Sequence, residues 1–192
     1  MARPFTRIAK EVLQFLNTGP KPTGYRGKSP YPFLFANELR ELVGDNDGFH
    51  EIEQRRKLSQ VFWNLKKNRL VIIKQRADGT FVAELTEKGK RKVKEFHFVD
   101  LKIPIPKKWD GKWRIIIFDI PNKRTAGREA LRNKLKALDF SQLQKSVWVF
   151  PYPCEAEIEF IVELFKLFPY VQIIEATYIK NDVALRKYYR LF

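Results

Sequence analysis

Leu70-Val71-Ile72-Ile73-Lys74-Gln75-Arg76-Ala77-Asp78-Gly79-Thr80-Phe81-Val82-Ala83-Glu84-Leu85 decides how the first half of this chain folds. Two β-prone runs flank an Asp-Gly pair. Glycine takes the positive φ of a tight turn without steric cost, so the stretch predicts a β-hairpin. Just upstream, Leu58, Val61, Phe62 and Leu65 recur at i, i+3, i+4 and i+7, and predict a helix from about His50 to Asn68 with that stripe buried. Turning about 100° per residue puts Arg56, Gln60, Trp63 and Lys67 on the opposite side, with Lys57 and Asn64 beside them.

Further out, Ile8, Val12, Phe15 and Leu16 mark a first helix that stops at Thr18-Gly19-Pro20. After a Gly- and Pro-rich loop, Phe35, Leu39 and Leu42 mark a second, closed by Gly44. Beyond the hairpin, Thr86-Glu87-Lys88-Gly89 opens a basic helix to about Phe96. Three helices followed by a hairpin is the order of a winged helix-turn-helix; a generic small α/β domain is the alternative. Pro104 and Pro106 then break regular structure within His97–Lys112, placing a linker between a domain over residues 1–96 and another over 113–192.

In the second domain, Trp113–Ile120 is continuously apolar apart from Arg114 and Asp119, as a central strand is, and stops at Pro121. A helix follows from about Arg124 to Leu138, with Leu131, Leu135 and Leu138 inward and Arg124, Arg128 and Arg132 along a basic edge. Phe140–Phe150 reads as one bent strand or a short hairpin. A helix with Ile158, Ile161, Val162, Phe165 and Phe168 on one stripe comes next, then a strand over Val171–Ile179. The expected class is α+β, a winged helix-turn-helix followed by a ferredoxin-like β-α-β-β-α-β domain.

Charge narrows the function. The chain carries 37 Lys and Arg against 22 Asp and Glu, a net +15. Residues 1–96 hold 20 basic and 11 acidic side chains, and residues 97–192 hold 17 and 11. A field of this sign gathers polyanions, with nucleic acid foremost, although cations also simply keep a surface solvated. The lone Cys154 forms no internal disulfide, the first residues lack a signal-peptide run, and no stretch is long enough for a membrane span, so a cytoplasmic protein is expected. His50 and His97 stand far from each other and from Cys154 in sequence and read as surface or packing residues, leaving no metal-ligand cluster and no cofactor motif.

A helix that enters the major groove needs base-edge donors and acceptors flanked by cations for phosphates. Arg56 and Gln60 suit bidentate base contacts, with Asn64 beside them. Arg55, Lys57, Lys66 and Lys67 suit phosphates, and Lys74 and Arg76 at the hairpin would reach backbone or minor groove. The expected partner is double-stranded DNA. Trp63 on that face reads as a packing residue, the commoner role of tryptophan.

Trp109-Asp110-Gly111-Lys112-Trp113-Arg114, Phe118-Asp119-Ile120-Pro121, Arg128 with Leu131-Arg132 and Leu135, then Phe140, Leu143, Ser146-Val147-Trp148-Val149 and Pro151 resemble the central domain of PaaX-type transcriptional repressors. That domain is in turn similar to the small ferredoxin-like nucleases of CRISPR adaptation, in which an Asp closes the first strand and a Gln-x-Ser-Val-Phe string follows. Here these positions are Asp119 and Gln144-Lys145-Ser146-Val147-Trp148. The family commonly has Gly where this chain has Asp139, and Asp tolerates the left-handed conformation. PaaX repressors usually continue into a third domain implicated in sensing a coenzyme A thioester. The present chain ends at Phe192, so no effector is carried over.

The resemblance implies a homodimeric transcriptional repressor that occupies an operator. The alternatives are a metal-dependent nuclease in which Asp119 from two subunits holds a divalent ion, and a non-catalytic component of a DNA-processing assembly. One carboxylate binds Mg²⁺ poorly, which favours a strand-end role for Asp119, paired with Arg or backbone, and no enzymatic activity.

Overall fold

The structure, a computed structural model, describes residues 6–19, 23–24 and 51–191, with 23–24 and 51–55 as backbone only. It divides into two compact units, Met1–Val99 and Asp100–Phe192. The helix expected around Phe35–Leu42 lies outside the described residues, as does His50.

In the first unit, helix α1 (Arg7–Thr18) begins where the Thr6 hydroxyl accepts the Ala9 amide at 3.3 Å. Its apolar stripe, Ala9, Val12, Leu13 and Leu16, is buried. Strand β1 (Thr23–Gly24) pairs antiparallel with β3 (Phe81–Leu85), which pairs in turn with β2 (Val71–Gln75). Helix α2 (Glu51–Lys67) brings Leu58, Phe62 and Leu65, all fully buried, against α1, as their spacing predicts. Arg69 at φ 56° ends this helix, donating to the Lys66 carbonyl while Leu70 N–H reaches Leu65 O, and sends the chain straight into β2.

Helix α3 (Glu87–Asp100) starts under Thr86, whose hydroxyl accepts the Gly89 amide at 3.0 Å and donates to the Arg69 carbonyl at 2.6 Å. A Cβ on Gly89 would stand 2.1 Å from the Leu70 carbonyl oxygen, so only glycine permits this approach. The helix runs on to Asp100, past the expected end near Phe96, because the first residue hostile to helix is Pro104.

The second unit has strands β4 (Trp113–Phe118), β5 (Ser141–Gln144), β6 (Val147–Phe150) and β7 (Val171–Ala176), and helices α4 (Thr125–Ala137), α5 (Glu155–Leu164) and α6 (Val183–Tyr189). The sheet order is β5-β6-β4-β7, antiparallel throughout, so the first strand made is flanked by the third and the fourth. With helices after β4 and β6, this is the ferredoxin-like β-α-β-β-α-β arrangement. Arg114, Ile116 and Phe118 share the face carrying α4 and α5, where the Arg132 guanidinium stands 6.0 Å over the Phe118 ring and Arg114 meets Glu155. Asp139 is left-handed, at φ 66°, as the glycine-like position requires.

Three expectations fail here. The fifth helix ends at Leu164, so Phe165 caps it, while Phe168 falls in a 3-10 turn (Phe168–Tyr170) and is 78% exposed. The last strand stops at Ala176 and not Ile179. The chain then turns back into α6, whose Tyr189 hydroxyl lies 2.8 Å from the Asp139 carbonyl and 2.9 Å from the Ser141 hydroxyl.

Candidate nucleic-acid interface

Burying Leu58, Phe62 and Leu65 fixes the rotation of α2, and that rotation exposes Arg56, Gln60, Trp63, Asn64, Lys66 and Lys67. The predicted reading face is therefore brought together. Lys57 is half-buried, which removes it from the centre of the face, and the Arg55 side chain lies outside the described residues. Asn68 donates its side-chain amide to the Asn64 carbonyl at 2.7 Å, tightening the helix end while the Asn64 side chain stays exposed.

Trp63 stays outside the core of its own unit: it is 52% exposed, with the Lys67 ammonium 4.7 Å from its ring centre. Its neighbours on α2 already fill the core stripe, so among the described residues the indole lies outside the core of this unit. The clue was present in the helical rotation, which placed it opposite Phe62.

At the hairpin the two cations differ. Lys74 forms a cross-strand ion pair with Glu84 at 2.8 Å, so its charge is matched locally. Arg76 stands exposed at the mouth of the turn, where its amide donates to the Thr80 carbonyl at 2.7 Å. The turn is held by Asp78, which accepts both the hydroxyl (2.6 Å) and the amide (2.9 Å) of Thr80, and Gly79 takes φ 82°. The Thr80 hydroxyl holds the Asp78 carboxyl below its ordinary value, with help from the Thr80 amide. The tip is a preformed projection carrying a cation.

The nuclease alternative turns on the end of β4. Asp119 is exposed there, its amide bonded to the Tyr170 carbonyl at 3.0 Å, beside an open cleft of about 440 Å³ lined also by Ile117, Pro121, Pro169, Tyr170 and Gln172. The carboxylate has no hydrogen bond or ion pair to a described residue, so the expected pairing with Arg is absent. Arg124 donates to the Lys166 carbonyl (3.1 Å) and Arg128 to the Ile120 carbonyl (3.3 Å) and Asn122 (3.1 Å). Among the described residues no three His, Cys, Asp or Glu side chains cluster as metal ligands.

Arg114 belongs to the end of β4 opposite Asp119. It is buried and forms a two-pronged bond to Asp110 (2.9 and 2.6 Å), a contact with Glu155 (3.3 Å), and a longer one with Glu175 (3.6 Å). The guanidinium hydrogen bonds hold the Asp110 carboxyl below its ordinary range. Trp109 packs on Trp113 at 5.1 Å, and its indole N–H reaches the Lys112 carbonyl. The Trp-Asp-Gly-Lys-Trp-Arg string is thus a structural clasp on the sheet.

Cys154 is buried, which pushes its thiol up to about 12 and leaves it protonated and unreactive at neutral pH. Among the described residues no helix is long and apolar enough to cross a membrane. Residues 106–186 match a protein family described as PaaX protein central Cas2-like domain. No curated protein matches the chain.

Proposed function

With residues 106–186 belonging to the PaaX central Cas2-like domain family, we propose that the chain is a PaaX-like transcriptional regulator, a repressor that reads double-stranded DNA with its first unit, a winged helix-turn-helix. The observation that carries the reading is the exposed face of α2: Arg56, Gln60 and Asn64 offer base-edge chemistry beside the cations Lys66 and Lys67. The hairpin follows as a wing, with Arg76 available to phosphate while Lys74 is held by Glu84. Trp63 joins the reading face as an apolar surface for sugars or a thymine methyl. No cofactor or metal is invoked. Asp119 alone is too poor a ligand set for Mg²⁺-dependent cleavage, so the protein acts by occupancy and not by chemistry.

The test is recovery of bound fragments from sheared genomic DNA with the purified chain. A shared motif, as an inverted repeat, is the expected result; fragments without any common motif would refute sequence-specific regulation. Incubating the recovered DNA with protein and Mg²⁺ or Mn²⁺ should leave it intact, whereas cleavage that vanishes in Asp119→Ala would make the protein a nuclease.

A further inference from the structure

A row of cations on the second unit has no part in the reading above. Arg128 and Arg132 stand one turn apart along the edge of α4, about 6 Å along its axis, and Arg124, in the 3-10 turn that leads into the helix, precedes them by four residues. All three guanidiniums are tethered to main-chain carbonyls: Arg124 to Lys166 (3.1 Å), Arg128 to Ile120 (3.3 Å), and Arg132 to Lys145 (2.8 Å). Two lean on aromatic rings as well, Arg124 on Tyr170 at 5.5 Å and Arg132 on Phe118 at 6.0 Å. These tethers draw the residues Lys145 and Lys166 to the ends of the row, and Lys123 stands in the turn that begins it. Lys123, Lys145 and Lys166 are exposed and bond to no described side chain.

Glu129 is the acid within the row, 3.4 Å from Arg132 and 3.6 Å from Arg128, and Asp119 lies at the nearby strand end. With Glu163 one turn before Lys166, six cations stand against three carboxylates and leave a net positive edge. Ordinary surface cations are mobile and interspersed with acids. Here the guanidiniums are already fixed, so little side-chain entropy remains to be lost when they meet an anion, and their planar forks suit phosphate.

We propose that this α4 edge binds the phosphate backbone of nucleic acid, as a second contact surface independent of α2. A line of cations, three of them fixed guanidiniums, matches an extended polyanion better than a compact acidic protein surface. An anionic membrane is the other extended candidate, but the exposed Phe168 is too little apolar area to insert beside the row.

The full-length chain carrying Lys123→Gln, Lys145→Gln and Lys166→Gln tests this, because those ammonium groups hold nothing in the fold and the arginine tethers stay intact. Binding to a short random-sequence duplex is followed by fluorescence anisotropy across a salt series, after circular dichroism establishes an unchanged fold. The slope of log K against log salt should become shallower by about 2 to 3, roughly 0.9 for each phosphate no longer neutralised. The triple Lys→Arg variant should restore it. An unchanged slope, or a parent that binds no duplex, overturns the proposal, as does a parent that binds phosphatidylserine vesicles in preference to DNA. Arg56→Ala/Gln60→Ala, run alongside, separates the two surfaces: it should abolish preference for a recovered site while leaving the salt response of the α4 edge in place. If that preference survives but the lysine variants still flatten the slope, the α2 reading fails and the α4 surface stands.

Discussion

At the scale of single residues, side chains of similar charge do different jobs, and burial separates them. Arg56 and Gln60 are exposed and hold nothing among the described residues, so their loss should leave stability unchanged. Arg56→Ala and Gln60→Ala should each cost about 1 to 3 kcal/mol of discrimination between a cognate and a random duplex, read by paired titrations; equal losses on both would remove α2 as the reader. Arg114 is the opposite case. Arg114→Met would leave Asp110, Glu155 and Glu175 facing one another without their cation, and should cost about 3 kcal/mol in urea unfolding with DNA binding by the first unit retained. The pH dependence follows from Asp110. A carboxyl held below its unfolded value adds stability that is fully present above about pH 4 and fades as pH falls through the lowered folded value. Asp110→Asn should therefore flatten the acid side of the stability profile, and a variant whose profile parallels the parent's would disprove the clasp. Gly89→Ala drives a methyl into the Leu70 carbonyl, and a loss of about 2 kcal/mol in thermal unfolding is expected.

At the scale of elements, the hairpin was the easiest part to foresee and the C-terminal helix the hardest. Asp78-Gly79 prescribes its turn through local backbone chemistry alone, and the Leu58-Phe62-Leu65 stripe fixes the rotation of α2 with no knowledge of its neighbours. The same rotation places Trp63 on the exposed side, away from the core of its own unit, whatever the usual habit of tryptophan. Helix α6 was invisible for another reason: Val183–Tyr189 is short, and its purpose, placing Tyr189 against β5 and β6, exists only in three dimensions. Phe168 continues the helical spacing in sequence, but the helix ends at Leu164 and Lys166 at φ 54° turns the chain away. Asp119 shows the limit of motif reading: the expected partners were Arg or backbone, and the fold leaves its carboxylate without a bond to any described residue while its amide meets the Tyr170 carbonyl. For the hairpin, Arg76→Ala should weaken cognate and random duplexes alike and reduce the salt slope by about 0.9, while Lys74→Ala should change it less because Glu84 already neutralises that ammonium. Equal effects of the two substitutions would contradict this division of roles.

At the scale of the whole molecule, a repressor that reads an inverted repeat needs two reading helices, and a homodimer supplies them by symmetry. Light scattering of the purified chain at micromolar concentration should give about twice its 22.8 kDa mass. A monomer, with and without DNA, would leave recognition to a single half-site. The excess positive charge is distributed over both units, so the proposed binding to DNA should weaken steeply as ionic strength rises.

The strand order of the second unit also sets a timetable. Trp113–Phe118 is the first strand of the sheet to leave the ribosome, yet its two neighbours, Val147–Phe150 and Val171–Ala176, are translated later. For the few seconds of synthesis in between, the chain presents Ile115-Ile116-Ile117-Phe118 with both edges open. Newly made protein is therefore most vulnerable to clumping before it is finished, and slowing translation downstream of residue 118 should lower its soluble yield without altering the stability of what does fold.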